Sequence, residues 1–355
     1  MGEVAALRRL LRACVVEGYV DVYQLLGPTH RRVDALRMYV GALPEALAAV
    51  VRVFLLSETV DGALLAPMID AEDVAELVRA GVLVESDGGI AAAGLSLVPI
   101  FGRLVLVPAQ PRGGWLGQER IALTARVAPP RAGRSLDLCT DTGTAALHLA
   151  TERTPVVAVD DDPAALRIAR LNVAMSGLDD RIDLREGDLW LAAPGERFER
   201  VVAAPATVPH PPGLDMARHG GPDGLATTSR IIGALPRLLA PGGTAHLIGA
   251  VLGDATPNRA LDAFARRARE LDLGMTWTLP GRIPVAQEHK GFDILARACA
   301  RAAGVALDIA RHALAAHLAA ERADHLYLFA LAVTRERTGF HVTRHYSEPG
   351  GFWFG

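Results

Sequence analysis

Leu136-Asp137-Leu138-Cys139-Thr140-Asp141-Thr142-Gly143 decides the reading of this chain. An apolar stretch runs into small, turn-forming residues, and Thr144 to Glu152 then continues with helical spacing, so the segment reads as strand, tight turn and helix. Such a turn calls for small residues or glycine, because backbone has to come close to a ligand and one residue needs positive φ. The same alternation continues downstream. Strands read at Ser135 to Cys139, Pro155 to Asp160, Ile182 to Arg185, Phe198 to Ala203 and Thr244 to Val251. Helices read at Thr144 to Glu152, Pro163 to Ser176 and Leu225 to Leu239, the last ended by Pro241-Gly242-Gly243. Strictly alternating strands and helices with nearly all-apolar strands describe an α/β, Rossmann-like domain with a mostly parallel sheet covered on both faces. In such sheets ligands bind at the carboxyl ends of the strands.

Carboxylates recur at those ends. Val157-Ala158-Val159-Asp160 closes the second strand, and a carboxylate there can accept two hydroxyl hydrogen bonds from a ribose. After the third strand, Glu186-Gly187-Asp188-Leu189-Trp190 puts Asp188 where it can take an exocyclic amine proton of adenine. Each has a plainer reading as a helix cap, as do Asp161 and Asp162 before Pro163. The order is the stronger argument: Asp137, Gly143, Asp160 and Asp188 all fall in or just after strands, toward one edge of the sheet.

Before residue 110 the pattern differs. Short amphipathic helices read at Val4 to Val16, Val33 to Leu43, Pro44 to Ser57 and from Asp70 to Gly81. Val82 to Glu85 and Ile90 to Ala92 flank Ser86-Asp87-Gly88-Gly89 as a small hairpin. Helices followed by a hairpin give the outline of a winged helix. A DNA-reading version would carry basic residues on the helix before the hairpin. That helix instead carries Asp70, Glu72, Asp73 and Glu76 against Arg79, so dimerisation or a substrate lid is the preferred role. Residues 1–110 are therefore an accessory domain and 111–355 the Rossmann-like domain. Pro108-Ala109-Gln110-Pro111-Arg112-Gly113-Gly114 is the linker, and a helical insertion at about 284–322 reads as Phe292 to Ala303 and Val305 to Ala320.

The chain has 355 residues, 37 basic against 40 acidic, for a formal charge of -3. No net positive field attracts a phosphate backbone, and nucleic acid is a weak first choice of partner. No apolar run reaches the roughly 18–20 residues of a membrane span and the start lacks a signal-peptide pattern, so the expectation is a cytoplasmic protein without membrane contact. Cys14, Cys139 and Cys299 form neither a disulfide framework nor a metal site. The sole lysine, Lys290, reads as exposed. The aromatic tail, with His345, Tyr346, Phe352, Trp353 and Phe354, reads as packed against the protein or a partner subunit, and a homodimer is one expectation.

Residues 134 to about 251, and loosely 112 to 334, resemble the class I methyltransferases that include the ribosomal RNA guanine and release-factor glutamine methylases. The likeness rests on Leu136 to Gly143, on Asp160 through Asn172, and on Gly220-Gly221-Pro222-Asp223-Gly224-Leu225 followed by Pro241-Gly242-Gly243. It implies S-adenosylmethionine as cofactor, with Asp160 on the ribose and Asp188 on the adenine. The cofactor set would be Asp137, Cys139, Thr140, Asp141, Gly143, Asp160, Asp161, Gly187, Asp188, Leu189, Ala203, Ala204 and Pro205. It also implies a seven-stranded sheet ending in Leu326 to Thr334.

Two departures stand out. Asp141 takes the place of a glycine in the first turn and adds a charge there. Val202-Ala203-Ala204-Pro205-Ala206-Thr207-Val208-Pro209 aligns with the family's Asn-Pro-Pro-aromatic loop, leaving Ala204 for the asparagine and Thr207 for the ring. An alanine methyl neither hydrogen-bonds nor stacks on a planar nitrogen, so the acceptor is expected to be a small molecule rather than an amide or a base amine. Candidate bases are His210, Asp215, His219 and Asp223 in the loop after the fourth strand, with His210, His219 and Asp223 preferred, and Glu288 and His289 in the late insertion. Three other readings remain open: a nicotinamide oxidoreductase, for which the first turn lacks Gly-x-Gly-x-x-Gly; a non-catalytic regulator that binds adenosylmethionine; and an enzyme that transfers the aminocarboxypropyl arm or cyclises the cofactor.

Overall fold

The structure, a computed structural model, describes residues 2–26, 33–86, 88–109, 121, 124–254 and 258–344. Residues 110–114 of the linker and the aromatic tail from His345 lie outside the described residues. The chain divides into two units, residues 1–111 with 167–179, and residues 112–166 with 180–355.

The first unit opens with α1 (Gly2–Val16), α2 (Tyr19–Leu26), α3 (Val33–Val40), α4 (Glu45–Phe54) and α5 (Ala71–Arg79). Two hairpins follow, β1 (Leu83–Ser86) with β2 (Gly89–Ala92), and β3 (Leu95–Ile100) with β4 (Arg103–Pro108). Apolar faces of α1 and α4 bury Leu7, Leu10, Val50 and Phe54, and the Tyr19 hydroxyl donates to the Leu97 carbonyl at 2.7 Å. Asp70 caps α5 by accepting the Asp73 amide at 2.8 Å. Asp73 is itself buried and held by Arg9, whose Nε lies 2.7 Å from Oδ2. Part of the acidic face of α5 therefore serves the unit's own packing.

The helix Pro163–Ser176 contributes its residues from Arg167 onward to this unit. Its Asn172 is fully buried and acts as a strand-like partner: Oδ1 accepts the Leu106 amide and Nδ2 donates to the Leu106 carbonyl, both at 2.8 Å. Leu106 is equally buried, so Asn172→Leu strands two backbone groups away from water. At about 1–3 kcal/mol per buried unsatisfied group, the expected loss is roughly 2–5 kcal/mol, read as a lowered urea midpoint.

The second unit is an α/β Rossmann-like fold. In chain order it comprises β5 (Ser135–Leu138), α6 (Thr144–Leu149), β6 (Val156–Asp160), α7 (Pro163–Ser176, the helix shared with the first unit), β7 (Ile182–Glu186), β8 (Phe198–Ala203), α8 (Ala226–Leu238) and β9 (Leu239–Gly253). Then come α9 (Asn258–Glu270), β10 (Gly274–Pro284), α10 (Lys290–Ala303), α11 (Leu307–Glu321), β11 (His325–Thr334) and β12 (Gly339–Arg344). The sheet order is β12-β10-β11-β9-β8-β5-β6-β7. Strands β5 to β9 pair in parallel, and β11 runs antiparallel to β9 and β10. The expectation of seven strands is corrected by β12, which adds an eighth beside β10. Every position of β5 and β6 is buried, as strands covered on both faces require.

Pro241-Gly242-Gly243 does not end a helix before the strand begins. Strand β9 already pairs at Leu239 with Phe198, and the register then skips to Thr244 opposite Arg200, so the tripeptide is a bulge within the strand. One end of the sheet packs Trp277 between Phe264 and Phe329, with ring centroids 4.9 and 4.7 Å away.

On β8 and β9, Arg200 donates to His246 Nε2 at 2.8 Å. Burial, then the Arg200 charge, push the His246 pKa from 6.5 down to about 4. A histidine with a depressed folded-state pKa stabilises the protein above its unfolded pKa, and that contribution is lost as pH falls toward the folded value. Stability should therefore drop by about 2–3 kcal/mol between pH 6.5 and 4 from this group. His246→Gln should flatten that part of the profile in thermal melts at pH 7.5 and 4.5.

Candidate functional site

Strand β5 lies between β6 and β8, so the chain winds one way through β6 and β7 and then returns to the other side of β5. In open α/β sheets the crevice at that reversal is where ligands bind, outside the carboxyl ends of the strands. Leu138 pairs with Ala203 and with Val159, which sets the loops after β5, β6 and β8 side by side.

The first loop curls tightly. Cys139, Asp141 and Gly143 have φ of 58°, 54° and 80°. A left-handed backbone at two residues that carry a Cβ is unfavourable and is maintained only by surrounding bonds. Those bonds are present: the Thr140 amide donates to the Val159 carbonyl at 3.0 Å, the Gly143 amide to the Thr140 carbonyl at 2.9 Å, and the Asp141 amide to Asp160 Oδ2 at 2.8 Å. Asp137 is buried and accepts the Thr140 hydroxyl at 2.6 Å, bracing the loop from beneath.

Asp160 joins three loops. Its Oδ2 receives Asp141, its Oδ1 receives the Asp162 amide at 3.0 Å, and its carbonyl receives the Gly187 amide at 3.0 Å. Only 8% of the residue is exposed. Burial raises its pKa, opposed by the two backbone amides, while the Asp141 charge raises it further and Arg218 lowers it. Asp162, not Asp161, caps α7, accepting the Ala164 amide at 2.9 Å. Asp161 is exposed and meets Arg218 Nη2 at 3.2 Å, and the same guanidinium reaches Asp162 at 3.0 Å.

Asp188 makes no side-chain cap bond to the short turn Leu189–Ala192 that follows it, which removes the plainer reading of this carboxylate. Its partner is Arg230 on α8, with Nη2 at 2.7 Å from Oδ2. Gly187 has φ 158° and a Cβ there would lie 3.0 Å from the Ala192 Cβ, so glycine suits this approach. Trp190 Nε1 is a buried donor with no hydrogen-bond partner among the described residues.

The loop from Ala203 to Leu225 is pinned along its length. Pro205 and Thr207 are buried, and Ala204 is half-buried. The His210 amide donates to the Gly221 carbonyl at 2.9 Å, and the Gly220 amide to the Val208 carbonyl at 2.7 Å. The His210 and His219 rings stack with centroids 4.0 Å apart. His210 Nε2 faces the Leu214 carbonyl at 2.7 Å and must donate, which leaves the lone pair on Nδ1. His219 Nδ1 accepts the Gly221 amide at 3.0 Å, so its proton sits on Nε2. Burial, then the neighbouring His210, lower the His219 pKa. Asp223 forms a turn, accepting the Leu225 amide at 2.9 Å.

Arg218, Arg230 and His317 escape a sequence reading. His317, buried on α11, donates through Nε2 to the Pro222 carbonyl at 2.7 Å. Their partners lie 57, 42 and 95 residues away, beyond any local spacing signal. Glu288, His289 and Lys290 lie at the exposed start of α10.

The donor set can be tested against an adenosyl sulfonium. Asp141, Asp160, Asp161, Asp162 and Asp188 crowd the three strand tips, with Arg218 and Arg230 as the opposing charges paired to them. Acidic loops complement a cationic ligand. The residues present fit the group.

No family model matches the chain. It is 36% identical over 155 residues to the ribosomal protein uL3 glutamine methyltransferase of Bordetella pertussis, covering 40% of this chain and 51% of that protein. It is 34% identical over 165 residues to the release factor glutamine methyltransferase of Mycolicibacterium smegmatis, covering 43% and 57%. The match thus spans about half the length of these curated relatives. Among solved structures, the ribosomal protein L11 methylase of Lactobacillus delbrueckii subsp. bulgaricus aligns over 62% of this chain and 76% of its own, at 15% identity and a TM-score of 0.32. Over that span the chain is similar in sequence to class I S-adenosylmethionine methyltransferases, namely the release-factor and uL3 glutamine methyltransferases.

Proposed function

We propose that this chain is an S-adenosylmethionine-dependent methyltransferase acting on a small-molecule acceptor. The observation that carries it is the junction at Asp160, which ties the loops after β5, β6 and β7 into one acidic cradle at the sheet reversal. On this reading Asp160 and Asp161 face the ribose, Asp188 the adenine, and the curled loop Cys139 to Gly143 the methionine end. When bound, the cofactor supplies a methyl group on a sulfonium, whose positive charge provides much of the driving force.

The acceptor side follows from the loop after β8. The relatives are named for glutamine, yet Ala204 offers no acceptor for an amide N–H and Thr207 is buried without a ring to stack. The loop therefore admits an acceptor that brings its own nucleophile. For a hydroxyl acceptor a proton has to leave, and His210 Nδ1 is the histidine nitrogen of this loop that holds a lone pair not taken by backbone. His219 supports it by stacking, and Asp223 shapes the turn. The first unit, with its hairpins after α5, is assigned a lid or dimerisation role in the manner of a winged helix.

Incubation with S-adenosylmethionine labelled on the methyl and a panel of small hydroxyl and amine acceptors tests the reading. Label in the acceptor with S-adenosylhomocysteine released supports it. Release of methylthioadenosine instead assigns transfer of the other arm. Methylation of a release-factor glutamine by the purified chain overturns the acceptor assignment.

A further inference from the structure

Asp188 leaves the sheet just before Leu189, whose φ is 53°, and its side chain is half exposed. A carboxylate so placed samples several rotamers, and ordering it on binding costs affinity. Arg230 restrains it. One terminal nitrogen donates to Oδ2 at 2.7 Å, and the contact is single, so Oδ1 has no partner among the described residues.

Arg230 is restrained in turn. Its guanidinium lies 5.8 Å from the centroid of the Trp190 ring, and Arg237, two turns along the same helix, lies 5.0 Å from that centroid. Cation and aromatic face attract at these distances. The bond to Asp188, against partial burial, raises the Arg230 pKa, and the sulfur of Cys139 in the first loop adds to it. Arg230 therefore stands among the first loop, Asp188 and Trp190, at the adenine end of the cradle. A half-exposed ion pair contributes little to folding, so stability is a weak reason for this arrangement.

Resting on the assignment of Asp188 to the adenine, we propose that Arg230 is a positioning residue: by holding Oδ2 it presents Asp188 Oδ1 to the base, and the site thereby selects adenine by its exocyclic amine over purines that lack one.

Calorimetric titration of adenosine and purine riboside into the full chain and its Arg230→Gln, Arg230→Lys and Asp188→Ala variants tests this. Wild type should prefer adenosine by about tenfold, the scale of one charge-assisted hydrogen bond. Asp188→Ala should lose that preference. Arg230→Gln should cut it to roughly two- to threefold while purine riboside affinity stays within about twofold, and Arg230→Lys should restore part of it. An unchanged preference in Arg230→Gln overturns the proposal, as does an equal loss for both nucleosides or a gain in adenosine affinity. S-adenosylhomocysteine titrated into wild type reports on the underlying reading separately. No binding there removes the proposed function and this inference together, whereas binding with unaltered selectivity in Arg230→Gln removes the inference alone.

Discussion

Asp160→Asn should weaken S-adenosylhomocysteine binding by about 30- to 100-fold, because up to two charge-assisted hydrogen bonds are affected at roughly 1.5–3 kcal/mol each. The substitution keeps the shape but turns one acceptor into a donor. Oδ1 and Oδ2 each receive a backbone amide, from Asp162 and Asp141, so an asparagine must set its own N–H against one of them. The curled first loop then loses either its link to β6 or the start of α7. Folding should suffer less than binding, since the neutral side chain also avoids the desolvation that raises the Asp160 pKa. That raised pKa has a sign to check: the carboxyl takes up its proton at a higher pH than an ordinary aspartate. Affinity of the wild type should accordingly begin to fall on acidification earlier than an unperturbed carboxylate would allow, and calorimetry across pH reads this directly.

Gly224→Ala should destabilise the second unit by about 3 kcal/mol or more. Gly224 has φ 96°, and a Cβ there would sit 2.7 Å from the Ala250 carbonyl and 2.8 Å from the Thr207 carbonyl. Both obstacles are backbone, one on β9 and one on the loop after β8, so neither can swing aside. Relief has to come from moving the turn, which would break the Leu252 amide bond to the Asp223 carbonyl at 2.9 Å and the Ala226 amide bond to the Gly220 carbonyl at 2.7 Å. On the proposed reading this loop carries the acceptor side, so methyl transfer should fall more than cofactor affinity. A thermal melt paired with S-adenosylhomocysteine titration separates the two effects.

The sheet is legible where burial forces long apolar runs. Strands β5, β6 and β8 are interior and parallel; β6 shows it as an apolar run closed by Asp160, whereas β5 carries Asp137 and β8 carries Glu199 and Arg200 and is read mainly from Val201 to Ala203. The hairpin of β3 and β4 is not legible, for a physical reason. Pro99 and Pro108 weaken both segments as strands, and the connecting turn is Phe101-Gly102 with φ of 52° and 73°, a pair of left-handed residues without the Asn-Gly or Asp-Gly signal that usually marks one. Strand β12 is an edge whose pairing with β10 is parallel, and no adjacent turn announces such a pairing. Helix α9 is amphipathic, and Gly253-Asp254-Ala255-Thr256-Pro257 in the sequence marks the break before it, so this helix is open to reading although the expected elements include no helix there.

The site divides the same way. Asp160 and Asp188 are readable because each sits at the tip of a recognisable strand, and the left-handed turn at Asp141 and Gly143 is readable from small residues after an apolar run. The groups that hold these carboxylates are not readable. Arg218 and Arg230 come from later segments, and the opposite tautomers of His210 and His219 are dictated by backbone groups of a loop with no periodic pattern. Local pattern marks the strand tips; tertiary contacts choose which side-chain atoms stay available at them.

Isothermal titration of the purified chain with S-adenosylhomocysteine and, separately, with NAD is the direct test of the central claim. Saturable one-to-one binding of S-adenosylhomocysteine, lost in Asp160→Asn and absent for NAD, is the predicted result. Saturable binding of NAD with none of S-adenosylhomocysteine would contradict the account.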